Sequence, residues 1–209
     1  MNKKEIINKL EFLKKHDKNQ PNSLFGSITY GADNHLFELN PVISLAEIAK
    51  FETKHRVTLP EDYKFFITKI GNGGAGPGNG LLPIEKWSYG LRDVESDFLS
   101  IPFFNGVEKN WRMSSKLDDP YFSNKYVSGS IRISDYGCGI HYMLVITGNE
   151  KGNIWVDDRA NIDGIYKVYH EDDEDNTKPE TFESWYTTWL NTSISDFEIE
   201  SKPPIQYSV

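Results

Sequence analysis

One cysteine, Cys138, is all that the 209 residues contain, so an internal disulfide is excluded. Secreted domains of this size seldom carry a lone thiol, and a reducing compartment is the expectation. Long apolar runs are missing as well: no stretch approaches the roughly 18 consecutive apolar residues of a membrane span. The opening MNKKEIINKLEFLKK begins with basic residues, but Asn8, Lys9 and Glu11 break up the apolar centre that a secretory leader would need. A cytoplasmic protein, away from the membrane, is therefore expected. Excess positive charge is the third absence, since 23 Lys and Arg against 31 Asp and Glu leave a formal charge of -8. Such a field repels phosphate backbones and anionic lipid and attracts basic surfaces. Nucleic acid is thus not an expected ligand and a basic protein is, although the same surplus of acid also serves plain solubility.

Aromatic residues, by contrast, are plentiful. With 11 Tyr, 12 Phe and 5 Trp in a chain that is 38% hydrophobic, there is enough large apolar surface for one sizeable core and hence a single domain. Ile6, Ile7, Leu10 and Leu13 recur at helical spacing, which predicts an amphipathic N-terminal helix within 1–20. Ser44 and Glu47 have the spacing of a capping box and open a second helix over about 44–55. In the third helix Pro60 is placed in the first turn beside Glu61 and Asp62, where the helix dipole favours acids. Tyr63, Phe66, Ile67 and Ile70 form its buried face, and Gly71 stops it. Six glycines within 71–80, GNGGAGPGNG, impose a loop.

From about 87 to 128 the pattern is irregular and aromatic, with Phe98, Phe103, Phe104, Trp111, Tyr121, Phe122 and Tyr126. Strands dominate the next third. Ile131 and Ile133 alternate with polar neighbours, and 142–146 is a nearly continuous apolar run, expected to be the central strand and buried on both faces. Residues 147–153 have hairpin-turn composition; Ile154-Trp155-Val156 and 165–169 read as the following strands. After the acidic run Glu171-Asp172-Asp173-Glu174-Asp175, a last helix from near Thr181 sets Phe182, Trp185, Tyr186, Trp189 and Leu190 on one face, to cover the sheet. The expected division is a helix at 1–20, a domain at 21–196 and a loosely held tail at 197–209.

Patterns that could carry chemistry are weak. Gly71, Gly73 and Gly76 match the letters of G-x-G-x-x-G, yet a helix precedes them where a strand is required, and no Lys-Ser or Lys-Thr follows to hold a phosphate. Cys138 and His141 form half of a zinc motif, but no second thiol exists and the other histidines are scattered. As a nucleophile and base the pair is poor, because His141 opens an apolar strand. Asp157, Asp158 and Asp163 could hold a divalent ion; their spacing fits no calcium loop, and accepting backbone N–H groups in the turn after a strand is the better expectation. Neither a cofactor nor a metal is expected, and no convergent acid, base or nucleophile set emerges. Glu171, Asp172, Asp173, Glu174 and Asp175 remain as a solvated loop or as an electrostatic contact for a basic partner.

Several motifs in order carry a resemblance. Ile43-Ser44-x-Ala46-Glu47-Ile48 is followed by Leu59-Pro60-Glu61-Asp62-Tyr63, then by Gly71-Asn72-Gly73-Gly74-Ala75-Gly76-Pro77 and Gly80-Leu81-Leu82-Pro83. Later come Gly137-Cys138-Gly139, Gly152-x-x-Trp155-x-Asp157, Gly164-Ile165-Tyr166 and Phe182-x-x-Trp185-Tyr186. Over about 25–191 this resembles the SUKH superfamily, whose founding member is a yeast regulator of cell-wall synthesis. The N-terminal helix and the stretch from about 91 to 128 depart from the pattern. The resemblance implies an α+β single domain, a mostly antiparallel, curved sheet packed by helices, with Pro60, Tyr63, Gly71, Gly73, Gly74, Gly76, Trp155, Asp157 and Trp185 as mainly structural signature residues. It brings no catalytic residues. Similar bacterial members neutralise a polymorphic toxin, often a nuclease, by stoichiometric docking; the expected partner is a cognate, basic toxin domain, met by the acidic run and by exposed aromatics of 91–128. A regulatory scaffold is the alternative, and a small-molecule role would need a deep polar pocket beside the 71–80 loop.

Overall fold

The computed structural model describes residues 1–17, 27–104, 122–161 and 163–200. Helix α1 (Lys3–His16) starts on Asn2, whose side-chain oxygen accepts the N–H groups of Lys4 and Glu5, and it buries Ile6, Leu10 and Leu13. A single turn, α2 (Ala32–His35), follows. Helix α3 (Leu45–His55) carries the complete capping box: Ser44 Oγ accepts the Glu47 N–H, and the Glu47 carboxylate accepts the Ser44 N–H at 3.0 Å. Helix α4 (Glu61–Lys69) buries Tyr63, Phe66 and Ile67. Pro60 is the cap of α4, with ψ at 140°, one position ahead of the first turn where it was expected. Its ring-fixed φ serves either place, and the extended ψ makes Glu61 the first helical residue.

Four strands form one antiparallel meander in chain order: β1 (Ser130–Gly137), β2 (Ile140–Val145), β3 (Ile154–Asp158) and β4 (Gly164–Lys167). Between β1 and β2 the two turn residues Cys138 and Gly139 have φ of 51° and 81°, the primed geometry that matches strand twist. The 142–146 run is sealed from Met143 to Ile146, whereas Tyr142 stays partly exposed because that half of β2 runs out toward the hairpin tip. It is β3 that is buried along its whole length. The expected alternation in β1 fails too: Ser130, Arg132 and Ser134 are as buried as Ile131 and Ile133. Its free edge is covered by the strand-like exit of the glycine loop, where Asn79 N–H donates to Asp135 O and Leu82 N–H to Ile133 O, each at 2.8 Å.

Helix α5 (Phe182–Glu200) completes the core. Phe182 and Tyr186 are fully buried against Phe66 of α4, at ring distances of 5.2 and 4.6 Å, and Trp185 reaches Tyr142 of β2 at 5.0 Å. Asp62 of α4 ties the start of α5 by accepting the Glu183 N–H at 3.0 Å. Helix α1 packs on α5, so the N-terminal helix contributes to the same core. The expected loose tail begins too early, because α5 runs past Asp196 to Glu200, with Phe197 seated on Phe12 at 5.7 Å; 201–209 lie outside the described residues. In the irregular 87–128 stretch Phe98, Phe103 and Tyr126 serve the core and Phe104 is exposed, so core packing, and not partner contact, explains most of its described aromatics. Trp111 and Tyr121 lie outside the described residues.

Candidate binding surface

The glycine loop is held by close approach. At Gly74, φ is +101° and an added Cβ would stand 2.4 Å from the Glu38 carbonyl oxygen and 2.8 Å from Leu39 Cα. Only glycine tolerates both conditions. Gly71, Gly73 and Gly76 pass equally tightly against Leu39, the Leu81 carbonyl and the Leu81 side chain. Ser134 Oγ donates to Pro77 O at 2.6 Å, locking the loop to β1. These glycines are joined in the packing by Tyr63, wedged edge-on against Phe182, and by Trp155, tilted on Phe103 at 5.0 Å. Burial, and next the charge of Glu85, push the Tyr63 phenol up, so it stays neutral.

Asp157 accepts the Arg159 N–H at 3.4 Å, the turn role expected of it, and does more besides. It lies inside β3, 3% exposed, because Arg132 of β1 and Arg159 just past the strand converge on it. Arg132 Nη2 donates to Asp157 Oδ2 at 2.8 Å, while Arg159 donates from Nε to Oδ1 at 2.6 Å and from Nη2 to Oδ2 at 2.8 Å. Burial pushes the carboxyl up, but the hydrogen bonds and charge of Arg159, then the charge of Arg132, hold it below its usual range. The same guanidiniums reach Tyr89 O and Ser123 O, so the cluster ties the long crossover to the sheet. Asp158 braces the turn in another way: its carboxylate accepts the Asn161 side-chain amide and its carbonyl oxygen accepts the Asn161 N–H.

Cys138 is exposed at the β1–β2 tip, and His141 sits 3.1 Å from Gly139 O, its ring pushed below its ordinary value by burial and by Arg132. Among the described residues no group of three or more His, Cys, Asp or Glu side chains could hold a metal ion, and no helix is long and apolar enough to cross a membrane.

The acidic run sits at the tip of a paired loop. Val168 O accepts from Glu180 N–H at 2.9 Å and His170 N–H donates to Lys178 O at 3.1 Å, and between those rungs the chain turns. Asp173 makes that turn: its Oδ2 accepts the N–H groups of Thr177 and Lys178, and above all the Lys178 N–H holds its carboxyl below the usual range. One member of the run is therefore committed to its own backbone. Glu171, Asp172, Glu174 and Asp175 are exposed.

Beside this tip lies a cleft of about 360 Å³ that sequence reasoning did not foresee. Tyr30, Tyr136, Tyr142, Tyr169, Trp185 and Trp189 line it; Pro77 and Gly78 of the glycine loop border it, and Glu171, Glu180 and Asp196 supply its acids. Tyr30 and Tyr136 stack at 4.8 Å, and the Tyr30 hydroxyl donates to Tyr136 O at 2.8 Å. Burial, then the neighbouring Tyr136 and Tyr166, push the Tyr142 phenol up to about 12, so this wall is uncharged near neutral pH. Asp17, at the end of α1, accepts the N–H groups of Ile28 and Thr29 and so fixes the near rim. Only the α5 side of the cleft is periodic, with Trp185, Thr188, Trp189, Thr192 and Asp196 at helical spacing; the rest of the lining comes from separate loop and strand segments.

Residues 42–192 match the family model described as SMI1 / KNR4 family (SUKH-1). No curated protein and no solved structure matches the chain.

Proposed function

This chain belongs to the SMI1 / KNR4 family (SUKH-1), and on that premise we propose that it is an immunity-type binding protein that docks stoichiometrically onto a basic toxin domain and blocks it. The observation that carries the reading is the exposed set Glu171, Asp172, Glu174 and Asp175, raised on a paired loop beside a cleft whose described lining has acids and aromatics and no base. Complementary charge of this kind speeds encounter and sets orientation, while aromatic faces supply affinity. The net charge of -8 favours the same class of partner.

The test is co-expression with a toxin domain encoded beside this chain's gene. Growth is rescued by the wild-type chain and lost with the quadruple variant Glu171→Gln, Asp172→Asn, Glu174→Gln, Asp175→Asn. Rescue that is equally strong with the variant, or no rescue by the wild type, contradicts the proposal.

A further inference from the structure

Two residues that line the cleft carry a buried polar atom with no hydrogen-bond partner among the described residues. Glu180 is 2% exposed and lines the cleft, yet among the described residues its Oε2 accepts no hydrogen bond; His170 Nε2, 3.7 Å away, forms an ion pair with it only when protonated and at a distance too long for a hydrogen bond. Thr29, 7% exposed, lines the same cleft, and its Oγ1 is equally without a partner among the described residues. Buried acceptors are rarely left this way, because each forfeits its hydration without replacement. That the two residues line one cavity makes it the place where a donor from outside would reach them after a small side-chain shift.

The surroundings say what kind of donor. Glu171 and Asp196 add further acids, and no lysine, arginine or histidine is among the described lining residues. Flat aromatic faces make up the walls, with Tyr142 and Trp185 at 5.0 Å and Tyr30 52% exposed at the mouth. A cation is drawn in by the acids and by the ring faces alike. Among side-chain cations, guanidinium suits the place best: it is planar and stacks on rings, it is weakly hydrated and so enters a narrow site at small cost, and it presents several N–H donors in a fixed fork.

We propose that this cleft receives an arginine side chain of the protein partner, its plane against the aromatic wall and its N–H groups donating to the Glu180 carboxylate and the Thr29 hydroxyl. The source of the arginine rests on the docking reading above; the recognition of guanidinium does not.

The probe is N-acetyl-glycyl-arginyl-glycinamide, titrated into the full chain while the indole N–H resonances of Trp185 and Trp189 are followed by NMR. Saturable shifts of both indoles are expected, weaker with the lysine peptide and absent with the citrulline peptide, which keeps the shape and loses the charge. Equal shifts with citrulline, or none with arginine, overturn the site; equal affinity for lysine overturns the choice of guanidinium. Glu180→Gln lowers the affinity at least about tenfold, the scale of a charge-assisted bond, and Thr29→Val, which alters no charge, weakens it less. Unchanged affinity in both variants overturns the assignment. Because no toxin enters this titration, its failure and a failed growth rescue are separate results.

Discussion

Asp157 and the acids of the 171–175 tip are carboxylates of one chain put to opposite uses. Asp157 is sealed inside β3 between Arg132 and Arg159, with both oxygens taken by guanidinium donors. Glu171, Asp172, Glu174 and Asp175 stand in water with Asp173 alone spent on the turn. A buried pair is costly to assemble and costlier to break, because the partner left behind is an unpaired buried charge, whereas an exposed acid contributes little to stability and remains available to a partner. The surplus of acid in the composition thus divides into carboxylates that hold the fold and carboxylates that face outward, and the two sets predict different readouts.

The largest effect is expected at the buried set. Asp157→Ala strands two guanidiniums and should cost about 3–5 kcal/mol of unfolding free energy in a denaturant titration; a loss under about 1 kcal/mol would erase the distinction between the two regions. The pH dependence sharpens it. Since the folded carboxyl titrates below its unfolded value of about 3.9, the stabilisation is fully present above that pH and is lost as pH falls through the lower, folded value. The gap between wild type and Asp157→Asn should therefore close in acid.

Gly74→Val comes next, at about 2 kcal/mol or more, from a β-branched side chain at positive φ against the Glu38 carbonyl. Calorimetry showing an unchanged Tm would refute the close-approach account of the glycine loop.

His35 supplies a third test on the fold's side of the comparison, one that is silent at neutral pH and grows only in acid. It is buried, its Nδ1 accepts the Phe37 N–H at 3.0 Å, and burial pushes it down to about 4 despite the opposing charges of Asp17 and Asp33. The unfolded imidazole takes up its proton near pH 6.5, so stability should fall between there and about pH 4, by up to about 3 kcal/mol in the limit. His35→Gln should flatten that slope; an identical slope would assign it to other groups.

The smallest effect is expected at the tip. Neutralising Glu171, Asp172, Glu174 and Asp175 together should shift unfolding free energy by no more than about 0.5 kcal/mol, while Asp173→Ala, which frees the Thr177 and Lys178 N–H groups, should lower Tm measurably. If both variants melt alike, the division within the acidic run is wrong.

Much of the fold was legible because its signals are local. The capping box at Ser44 and Glu47, the i, i+3, i+4 pattern of Tyr63, Phe66 and Ile67, and the aromatic face of α5 each lie within a few turns of one helix. The glycine loop was legible for the same reason. What escaped was set by contacts far apart in sequence. Arg132 looked like the polar side of an alternating strand, and only Asp157, across the sheet from it, makes its burial intelligible. Asp173 looked like any other acid of its run until the turn closed on it. The cleft was invisible, because Thr29, Tyr136, Glu180 and Trp185 have no spacing in common and meet only when the loop, the sheet and α5 are in place.

The most direct measurement is the affinity of the purified chain for the proposed partner, a basic toxin domain encoded beside its gene, across a salt series, for the wild type and for the quadruple tip variant. The wild type should bind tightly at low salt and lose affinity steeply as salt rises, while the variant should bind about tenfold or more weakly at low salt with a shallow dependence. Two coincident curves would contradict the claim that the outward-facing carboxylates are the docking surface.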